Sequence, residues 1–277
     1  MISPDNRSRT EINERIHSEL RSRGVVSRNE HSIGTLMPRQ EMTGADRTWA
    51  AQYQVNDVLR YSRSSRETGI EKGEYAHVTR VDAGKNMLTV ARADGTEQTY
   101  DPRRQMGVTV YREAVKSFSV GDRIQFTAPK NELKIANREL GAIEDIASNG
   151  ALRIKLDSGC RIALDPAEYP HLDHGYAVTS HSSQGQTADR VLIHVDTDLA
   201  AKDLLNHRMA YVSVSRGQSD AQIFTNDRSA LANALSQDVS RRSASQPMQM
   251  VAPIQQQEVG QTRHVEHDFD MGIGMGF

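Results

Sequence analysis

The stretch that decides the fold is His174-Gly-Tyr-Ala-Val-Thr-Ser-His-Ser-Ser-Gln-Gly-Gln-Thr187, followed by the apolar run Arg190-Val-Leu-Ile-His-Val195. Apolar segments on both sides of a polar turn predict two buried strands, at 176–180 and 190–195. A strand end that leads into Ser and Thr side chains and then Gly185 suits the phosphate oxygens of a nucleotide or of a DNA backbone. The same residues also fit a purely structural interpretation, a hydroxyl-rich turn that caps a helix.

On the C-terminal side, the next informative segment is Asn206-His-Arg-Met-Ala-Tyr-Val-Ser-Val-Ser-Arg-Gly217. It predicts a helix from Asp203 to about Ser213, with a strand at 221–225 and a second helix at 228–237 after it. Strands that alternate with helices predict a parallel sheet. Arg216, at the end of the first helix, could balance the helix dipole. It could equally project into a cleft and clamp a phosphoryl group.

At the N-terminal end, Met1-Ile2-Ser3 predicts a very short strand, and we expect the natural domain to begin upstream of it. Ser8-Arg-Thr-Glu11 predicts a capping box at the start of a helix that Gly24 closes. The helix is expected to bury one apolar face, formed by Ile12, Ile16 and Leu20. A second, shorter helix is predicted at 47–53, with Trp49 and Tyr53 pointing inward.

Between these parts the sequence repeats itself. Val55-Asn-Asp-Val-Leu-Arg-Tyr61 aligns with Val120-Gly-Asp-Arg-Ile-Gln-Phe126, and the alignment continues to Asp101-Pro102 and Asp165-Pro166. Both copies show short alternating strands with turn signals, which predicts two small five-stranded barrels that arose by duplication. The pairs Val78/Ile143 and Val90/Ile154 should then face the barrel interiors. The alternative is a chance similarity between two unrelated β-rich stretches.

Composition narrows the functional classes. The net charge is −2, and residues 243–277 carry Arg263 against four acidic residues, so any nucleic acid must be bound through local contacts. Cys160 is the single cysteine, which rules out an internal disulfide framework and fits a reducing cytoplasm. No apolar run approaches the roughly 18 residues of a membrane helix, and the start of the chain has no secretory layout. The polar, Gln-rich end from about 240 predicts a disordered tail.

Together these patterns predict an α/β domain that is interrupted by an inserted pair of barrels. The predicted boundaries are 1–53 for its first part, 54–108 and 109–168 for the two barrels, 169–240 for its remainder and 241–277 for the tail.

The pattern Tyr176-Ala-Val-Thr-x-His-x-x-Gln-Gly185, with Ala210-Tyr-Val-x-x-Ser-Arg216 about 25 residues later, resembles motifs V and VI of RecD-like superfamily 1 DNA helicases. The form Ser-Ser-Gln-Gly-Gln-Thr187 and the ending Ile223-Phe-Thr-Asn-Asp227 narrow the resemblance to the C-terminal helicase region of conjugative relaxases of the TraI/TrwC type. Ile2-Ser-Pro-Asp-Asn-Arg7 is similar to the Pro-Thr-Asn segment of that group. Departures are Asp5 where Thr is usual and Gly217 where Ala is commoner.

This resemblance implies a RecA-like second motor domain with inserted SH3-like barrels that act as a pin or clamp around a DNA strand. The resemblance also implies roles for individual residues. Arg216 would be the arginine finger on ATP, and Gln184 and Gly185 would lie near the nucleotide. Thr179, His181 and Ser182 would contact single-stranded DNA, and Asn6 and Arg7 would touch its backbone. Its implied cofactors are ATP and Mg²⁺.

Some chemistry is not encoded in these residues. The sequence contains no Gly-x-x-x-x-Gly-Lys-[Ser/Thr] P-loop and no Asp-Glu pair on a strand for magnesium. It also contains no Tyr cluster beside a three-His site, which a relaxase would need. His171 and His174 are close in sequence, but no further ligand is marked, so no metal site is predicted.

The leading hypothesis is therefore the C-terminal half of an ATP-dependent helicase motor, inactive without a P-loop lobe. Its expected partners are single-stranded DNA, that N-terminal lobe with its relaxase domain, and conjugation proteins that bind the tail, with no membrane partner. The alternative is a non-catalytic single-strand-binding or scaffold module built on the paired barrels. Aromatic residues, which stack on bases, make up only 5% of the chain and argue against that alternative.

Overall fold

The computed structural model describes residues 1–180, 182–183, 187–198, 205 and 207–235. The predicted tail lies outside these residues. Three α-helices and thirteen strands occur in the described part. The helices are α1 (Asn6–Ser22), α2 (His207–Val214) and α3 (Arg228–Leu235). The strands are β1 (His31–Pro38), β2 (Val58–Tyr61), β3 (Tyr75–Asp82), β4 (Met87–Arg92), β5 (Glu97–Tyr100), β6 (Val108–Phe118), β7 (Arg123–Phe126), β8 (Leu140–Ile146), β9 (Leu152–Leu156), β10 (Arg161–Leu164), β11 (Leu172–His174), β12 (Ala188–Val195) and β13 (Gly217–Thr225).

A parallel arrangement joins the two ends of the described chain. β12 and β13 run parallel, with Ile193 opposite Ile223. Ile2 forms parallel bridges to both Ile193 and Val178, and its N–H donates to Leu192 O at 2.8 Å. The parallel pairing predicted from alternating strands and helices is confirmed. The residues of this parallel arrangement are separated in sequence, because Ile2 pairs with Val178 and Ile193 while the two antiparallel sheets lie between them in the chain. The strand expected at 176–180 is reduced to the single bridge at Val178.

The start of α1 differs from the predicted capping box. Asp5 is the N-cap, and its Oδ1 accepts a hydrogen bond from Ser8 N at 2.7 Å. Ser8 therefore lies inside the first turn, where it is buried. A carboxylate at the N-cap satisfies a free N–H group and also favours the positive end of the helix dipole, which explains why Asp5 takes the position.

The buried face of α1 is polar, which contradicts the predicted apolar face. Ile12, Ile16 and Leu20 are only partly buried. Arg9, Asn13 and His17 are buried instead, at a spacing of four residues that places them on one side of the helix. Asn13 exchanges two hydrogen bonds with the backbone of Ala177, at 2.7 and 3.0 Å. Specific polar partners therefore decide which face of this helix turns inward.

The inserted part forms two antiparallel sheets. The first has the strand order β1-β6-β2-β3-β4-β5, and the second has the order β10-β9-β8-β7-β11. One apolar cluster packs on each sheet, and Leu59, Tyr61 and Leu88 are among the fully buried residues of the first. Ile124 and Phe126 hold the corresponding places in the second.

The two sheets repeat the same local structure 65 residues apart. Asp57 Oδ2 accepts from Gln54 N, and Asp122 Oδ2 accepts from Ser119 N. A bridge joins Ser65 to Ile70 in one copy and Lys130 to Ile135 in the other. The register also shifts at matching points of the β3–β4 and β8–β9 pairs. These equivalent contacts support the duplication.

The residues predicted to face the two interiors are buried as expected. Val78 and Val90 lie in the first apolar cluster, and Ile143 and Ile154 in the second. The predicted closure into SH3-like barrels stays a prediction, because the strand pairings form two open orders.

Three predicted boundaries do not match the sheets. β1 falls in the segment 1–53 assigned to the α/β domain, yet it pairs along its whole length with β6. β6 falls in 109–168, apart from its first residue, yet it also pairs with β2 of the first sheet. β11, beyond 168, pairs with β7. Alternation of apolar residues identifies a strand but not its neighbours, and that is why the boundaries were misplaced.

The helix predicted at 47–53 is replaced by two short 3₁₀ helices, Asp46–Thr48 and Ala50–Gln52. Tyr53 is buried as expected, but Trp49 is 54% exposed. No helix in the part of the chain that the structure describes is long and apolar enough to span a membrane.

Candidate nucleotide and nucleic-acid site

Arg216 lies at a tight corner between α2 and β13. Its Nε donates to Val212 O at 3.1 Å and its Nη2 to Ser215 Oγ at 3.1 Å, so the guanidinium is held against the helix end. Its own carbonyl accepts from Ala188 N at 2.9 Å. A Cβ at Gly217 would lie 2.5 Å from Asp220 O. Glycine is therefore required directly after Arg216 for the chain to turn into β13.

Arg216 lines a cleft of about 470 Å³ together with residues of the turn that follows Val178. Ser183 and Thr187 of that turn share the cleft, and so does Arg190. Arg123 of the second sheet also lines it, but both of its terminal nitrogens bind the Asp157 carboxylate at 2.7 Å. Glu139 and Asp157 also line the cleft. Its guanidinium and hydroxyl groups are donors of the kind that phosphoryl oxygens require.

Thr179 and Ser182 are occupied with each other. Thr179 Oγ1 accepts from Ser182 N at 3.2 Å and lies 3.0 Å from Ser182 Oγ. The two residues are only 7% and 8% exposed. In this geometry the two side chains form hydrogen bonds within the turn. His181, Gln184 and Gly185, the other predicted residues of the turn, lie outside the described residues.

Asn6 and Arg7 are the first two residues of α1, and both are exposed. Arg7 Nε lies 3.3 Å from Glu11 Oε1, an exposed pair of the kind that contributes little to stability. Asn6 lines a second cleft, of about 330 Å³, between α1 and the strands β1 and β6. Of the predicted site residues, the Arg216 cleft thus includes neither Asn6 nor Arg7.

A buried charge network beneath α1 was not predicted from the sequence. Asp173 Oδ2 accepts from Arg9 Nη1 at 2.7 Å, and Asp173 Oδ1 lies 2.8 Å from Lys116 Nζ. The side chains of Arg9, Lys116 and Asp173 are 6%, 9% and 2% exposed. Burial alone would raise the pKa of the Asp173 carboxyl, but the two cations outweigh it and hold that pKa below its usual value.

Beside this network, His17, Asp122 and His174 come together as three buried groups with metal-ligating atoms. His17 Nδ1 lies 2.9 Å from Asp122 Oδ1 and its Nε2 lies 3.1 Å from Glu30 Oε1. His174 Nε2 lies 3.0 Å from Ser117 O and therefore donates to it. Because three of the four ring nitrogens already have hydrogen-bond partners, these groups form a polar network that joins α1 to the second sheet.

His171 and His174, which are neighbours in sequence, occupy separate sites. His171 Nε2 lies 2.6 Å from the Tyr75 hydroxyl, between the rings of Tyr111 and Tyr169. His174 stacks on His17 with ring centroids 4.9 Å apart. Desolvation by burial lowers the pKa of both His171 and His174 to about 4.

These lowered pKa values predict acid-sensitive folding. An unfolded histidine titrates near pH 6.5, so between pH 6.5 and about 4 the unfolded chain binds more protons than the folded one. The free energy of unfolding should therefore fall as pH drops through this window, by up to about 1.4 kcal/mol per pH unit for each histidine. Urea unfolding at pH 7, 6 and 5 measures this. His171→Phe should reduce the slope by about half, and an unchanged slope in that variant would contradict the assignment.

The segment that contains the motifs is similar to known proteins. Residues 174–221 match the model of the UvrD-like helicase C-terminal domain, which covers both the hydroxyl-rich turn and Arg216. The chain is 32% identical to the conjugal transfer protein TraA of Agrobacterium fabrum over 134 residues, 47% of this chain and 12% of that protein. It is 22% identical to the multifunctional conjugation protein TraI of Escherichia coli over 246 residues, 86% of this chain and 13% of that protein.

Among solved structures, a Pif1 helicase at forked double-stranded DNA matches with 20% identity and a TM-score of 0.31, over 39% of this chain and 28% of that one. Unliganded Pif1 from Bacteroides matches with 19% identity and a TM-score of 0.25, over 39% and 36% of the two chains. Values this low do not establish a shared fold. The family and relative matches, in contrast, confirm the resemblance drawn from the motifs: this chain is similar to the C-terminal helicase region of conjugative relaxases.

Proposed function

We propose that this chain is the second motor lobe of an ATP-dependent DNA helicase in a conjugative relaxase. In that role it would couple ATP hydrolysis to movement along single-stranded DNA during plasmid transfer. One observation carries the proposal: Arg216 lies at a rigid corner and lines the same cleft as Ser183 and Thr187, inside the segment that matches the helicase family. The chain spans only 12–13% of the relatives' length, so their other activities are not assigned to it.

On the nucleotide side, the chain's task is to hold and stabilise phosphoryl oxygens. Arg216 would reach the γ-phosphate of ATP from the end of α2, and Gln184 and Gly185 would approach the nucleotide through the turn. ATP, with Mg²⁺ held mainly by a P-loop lobe, supplies the transferred phosphoryl group. Because Val212 O and Ser215 Oγ orient the guanidinium, little reorganisation is needed when charge develops on the phosphoryl oxygens.

On the DNA side, two surfaces would contact the single strand. Asn6 and Arg7 are exposed on α1 and would meet its backbone. Thr179 and Ser182 would hold the turn that presents His181 to the strand, since their hydroxyl groups are used within the turn. Contact through a few placed residues agrees with a net charge of −2, which provides no general attraction for DNA.

We place this activity in the cytoplasm, with the tail available to conjugation proteins.

The proposal predicts that the purified 277-residue chain binds single-stranded DNA but does not hydrolyse ATP. A γ-phosphate needs a P-loop and magnesium to be positioned, and no P-loop occurs in this sequence. Fluorescence anisotropy of labelled oligothymidine measures DNA binding, and phosphate release with and without oligothymidine measures ATP hydrolysis. Fusion of a P-loop lobe from a TraA relative should restore DNA-stimulated turnover. Turnover by the chain alone, or absence of DNA binding, would refute the proposal.

A further inference from the structure

A groove of about 680 Å³ lies where the first sheet meets the segment between β10 and β11. Leu36, Val58 and Tyr75 line it and belong to one apolar cluster of the first sheet. Pro166 and Pro170 line it from the segment between β10 and β11. The groove therefore offers an apolar surface with a tyrosine ring and two proline rings. It shares no lining residue with the cleft of the candidate site.

The wall of the groove that β1 and β6 form leaves an apolar side chain uncovered. Val115 is 76% exposed and lies opposite Gly34 in the register of the two strands. A Cβ placed on Gly34 would meet no atom within 4 Å, so the glycine leaves open space beside Val115. An apolar side chain of another molecule can occupy this space, and its binding would be favourable because it removes apolar surface from water.

Two carboxylates at the groove are not engaged by this chain. Glu113 of β6 and Glu168 both line the groove and are exposed. Neither side chain forms an ion pair or a hydrogen bond with any residue that the structure describes. No lysine or arginine is among the described lining residues, and even a protonated His77, which also lines the groove, would balance only one of the two charges.

Cations on and beside these strands face other groups and do not line the groove. They are Lys116, bound to Asp173 at 2.8 Å, Arg112, which donates to Gln54 Oε1 at 2.6 Å, Arg60, 5.9 Å from the centre of the Tyr75 ring, and Lys130, 5.4 Å from the centre of the Tyr169 ring. The surface of the groove itself is therefore apolar and acidic, which is complementary to an apolar and basic occupant.

We propose that this groove docks an extended, proline-containing segment of a partner protein, with an apolar side chain and a lysine or arginine beside it. Proline-rich segments are already extended before they bind, and they pack on grooves lined by aromatic rings. The apolar side chain would cover Val115, and the basic side chain would pair with Glu113 or Glu168. A nucleic-acid backbone is disfavoured, because its phosphates would meet the same two carboxylates. This inference goes beyond the helicase proposal and does not rest on it.

The test uses the full 277-residue chain and two fluorescently labelled peptides. One peptide has the sequence Arg-Pro-Leu-Pro-Pro-Arg, and in the other both arginines are replaced by glutamate. Fluorescence anisotropy at low and high salt measures affinity. The amide resonances of Gly34, Val115 and Ala167, which all line the groove, report where a peptide binds.

Two variants change the groove and one is a matched control. Gly34→Leu fills the open space, and folding should be preserved because Gly34 has no positive φ and its Cβ position is free. Glu113→Lys combined with Glu168→Lys reverses the charge at two exposed positions. Glu97→Lys is the control, because Glu97 is exposed on β5, at the opposite edge of the first sheet from β1. Thermal melting establishes that each variant is folded.

We expect the arginine peptide to bind saturably, to shift the three amides and to bind more weakly as salt rises. The glutamate peptide should not bind measurably. Gly34→Leu and the charge-reversed double variant should each weaken binding of the arginine peptide roughly tenfold. Glu97→Lys should bind it as the unchanged chain does.

Several results would overturn the docking site. They are absence of saturable binding by the arginine peptide, equal binding of the two peptides, and binding that neither groove variant weakens. Oligothymidine that shifts the same three amides would instead assign the groove to nucleic acid and would also overturn the inference. None of these peptide measurements affects the helicase proposal, which depends on ATP turnover and DNA binding.

Discussion

Arg216→Ala is expected to slow ATP turnover by about 10³- to 10⁵-fold in a protein that joins this chain to a P-loop lobe. Negative charge spreads over the phosphoryl oxygens in the transition state, and a guanidinium that engages there lowers the barrier by roughly 4–7 kcal/mol. ATP binding should change far less, because the interaction strengthens as the reaction proceeds. Steady-state kinetics that separate kcat from KM measure this difference.

The structure explains why this arginine is suited to the task. α2 buries Met209 and Ser213 and ends directly before Ser215, so the guanidinium is carried by a packed element. Nε and Nη2 are already oriented by Val212 O and Ser215 Oγ. Arg216→Lys would keep the charge but lose the planar fork, and we expect it to be severely impaired as well.

Arg208→Ala is the matched control for this experiment, because Arg208 is exposed on the same helix. It should leave turnover nearly unchanged. Thermal melting establishes that each variant is folded. If Arg216 only balanced the dipole of α2, its removal would cost about 0.3–1 kcal/mol of stability and leave turnover intact. Near-normal turnover in a folded Arg216→Ala protein would refute the proposed role.

Asp173→Asn is expected to destabilise the fold by about 3–5 kcal/mol, the usual cost of removing one partner from a buried ion pair. The carboxylate balances two buried cations, Arg9 at 2.7 Å and Lys116 at 2.8 Å. An amide at this position would leave both cations without a counter-charge in a region that water does not reach. Urea denaturation at pH 7 of the 277-residue chain measures the loss.

Two comparisons isolate the effect of burial. Asp157→Asn breaks the pair with Arg123, whose side chains are 38% and 49% exposed, and should cost no more than about 1 kcal/mol. Lys116→Met combined with Asp173→Asn should recover part of the lost stability, because one of the two uncompensated cations is removed. Equal losses of unfolding free energy in Asp157→Asn and Asp173→Asn would show that burial does not increase the contribution of the Asp173 network to stability.

Local patterns predicted several elements correctly. The apolar run at 190–195 and the alternating segment at 221–225 are both strands, and they pair in parallel as strands linked by a helix should. The duplication was visible because the two copies keep equivalent turn residues, Asp57 and Asp122, whose carboxylates accept from equivalent backbone N–H groups. Each of these features depends on residues close together in sequence.

The face of α1 could not be predicted in this way. Ile12, Ile16 and Leu20 have the spacing of a buried stripe, but the helix turns Arg9, Asn13 and His17 inward. Their partners Asp173, Ala177 and Asp122 lie more than 100 residues away in sequence. The spacing of apolar residues indicates only the free energy that a helix gains when that face is buried. Here the hydrogen bonds and ion pairs with residues far away in sequence contribute more than that free energy.

Some features of the candidate site were also predictable from local sequence, and others were not. The motif residues and the position of Arg216 at a helix end could be predicted from the sequence alone. The tertiary structure was needed to show that Ser183, Thr187 and Arg216 share one cleft, and that the Thr179 and Ser182 hydroxyls face each other. It was also needed to show that β1 pairs with β6 and that a side chain at Gly217 would meet Asp220 O. The physical reason is that secondary structure follows from short-range backbone and side-chain preferences, whereas the partner of a strand or of a buried charge is selected by the packing free energy of the whole chain.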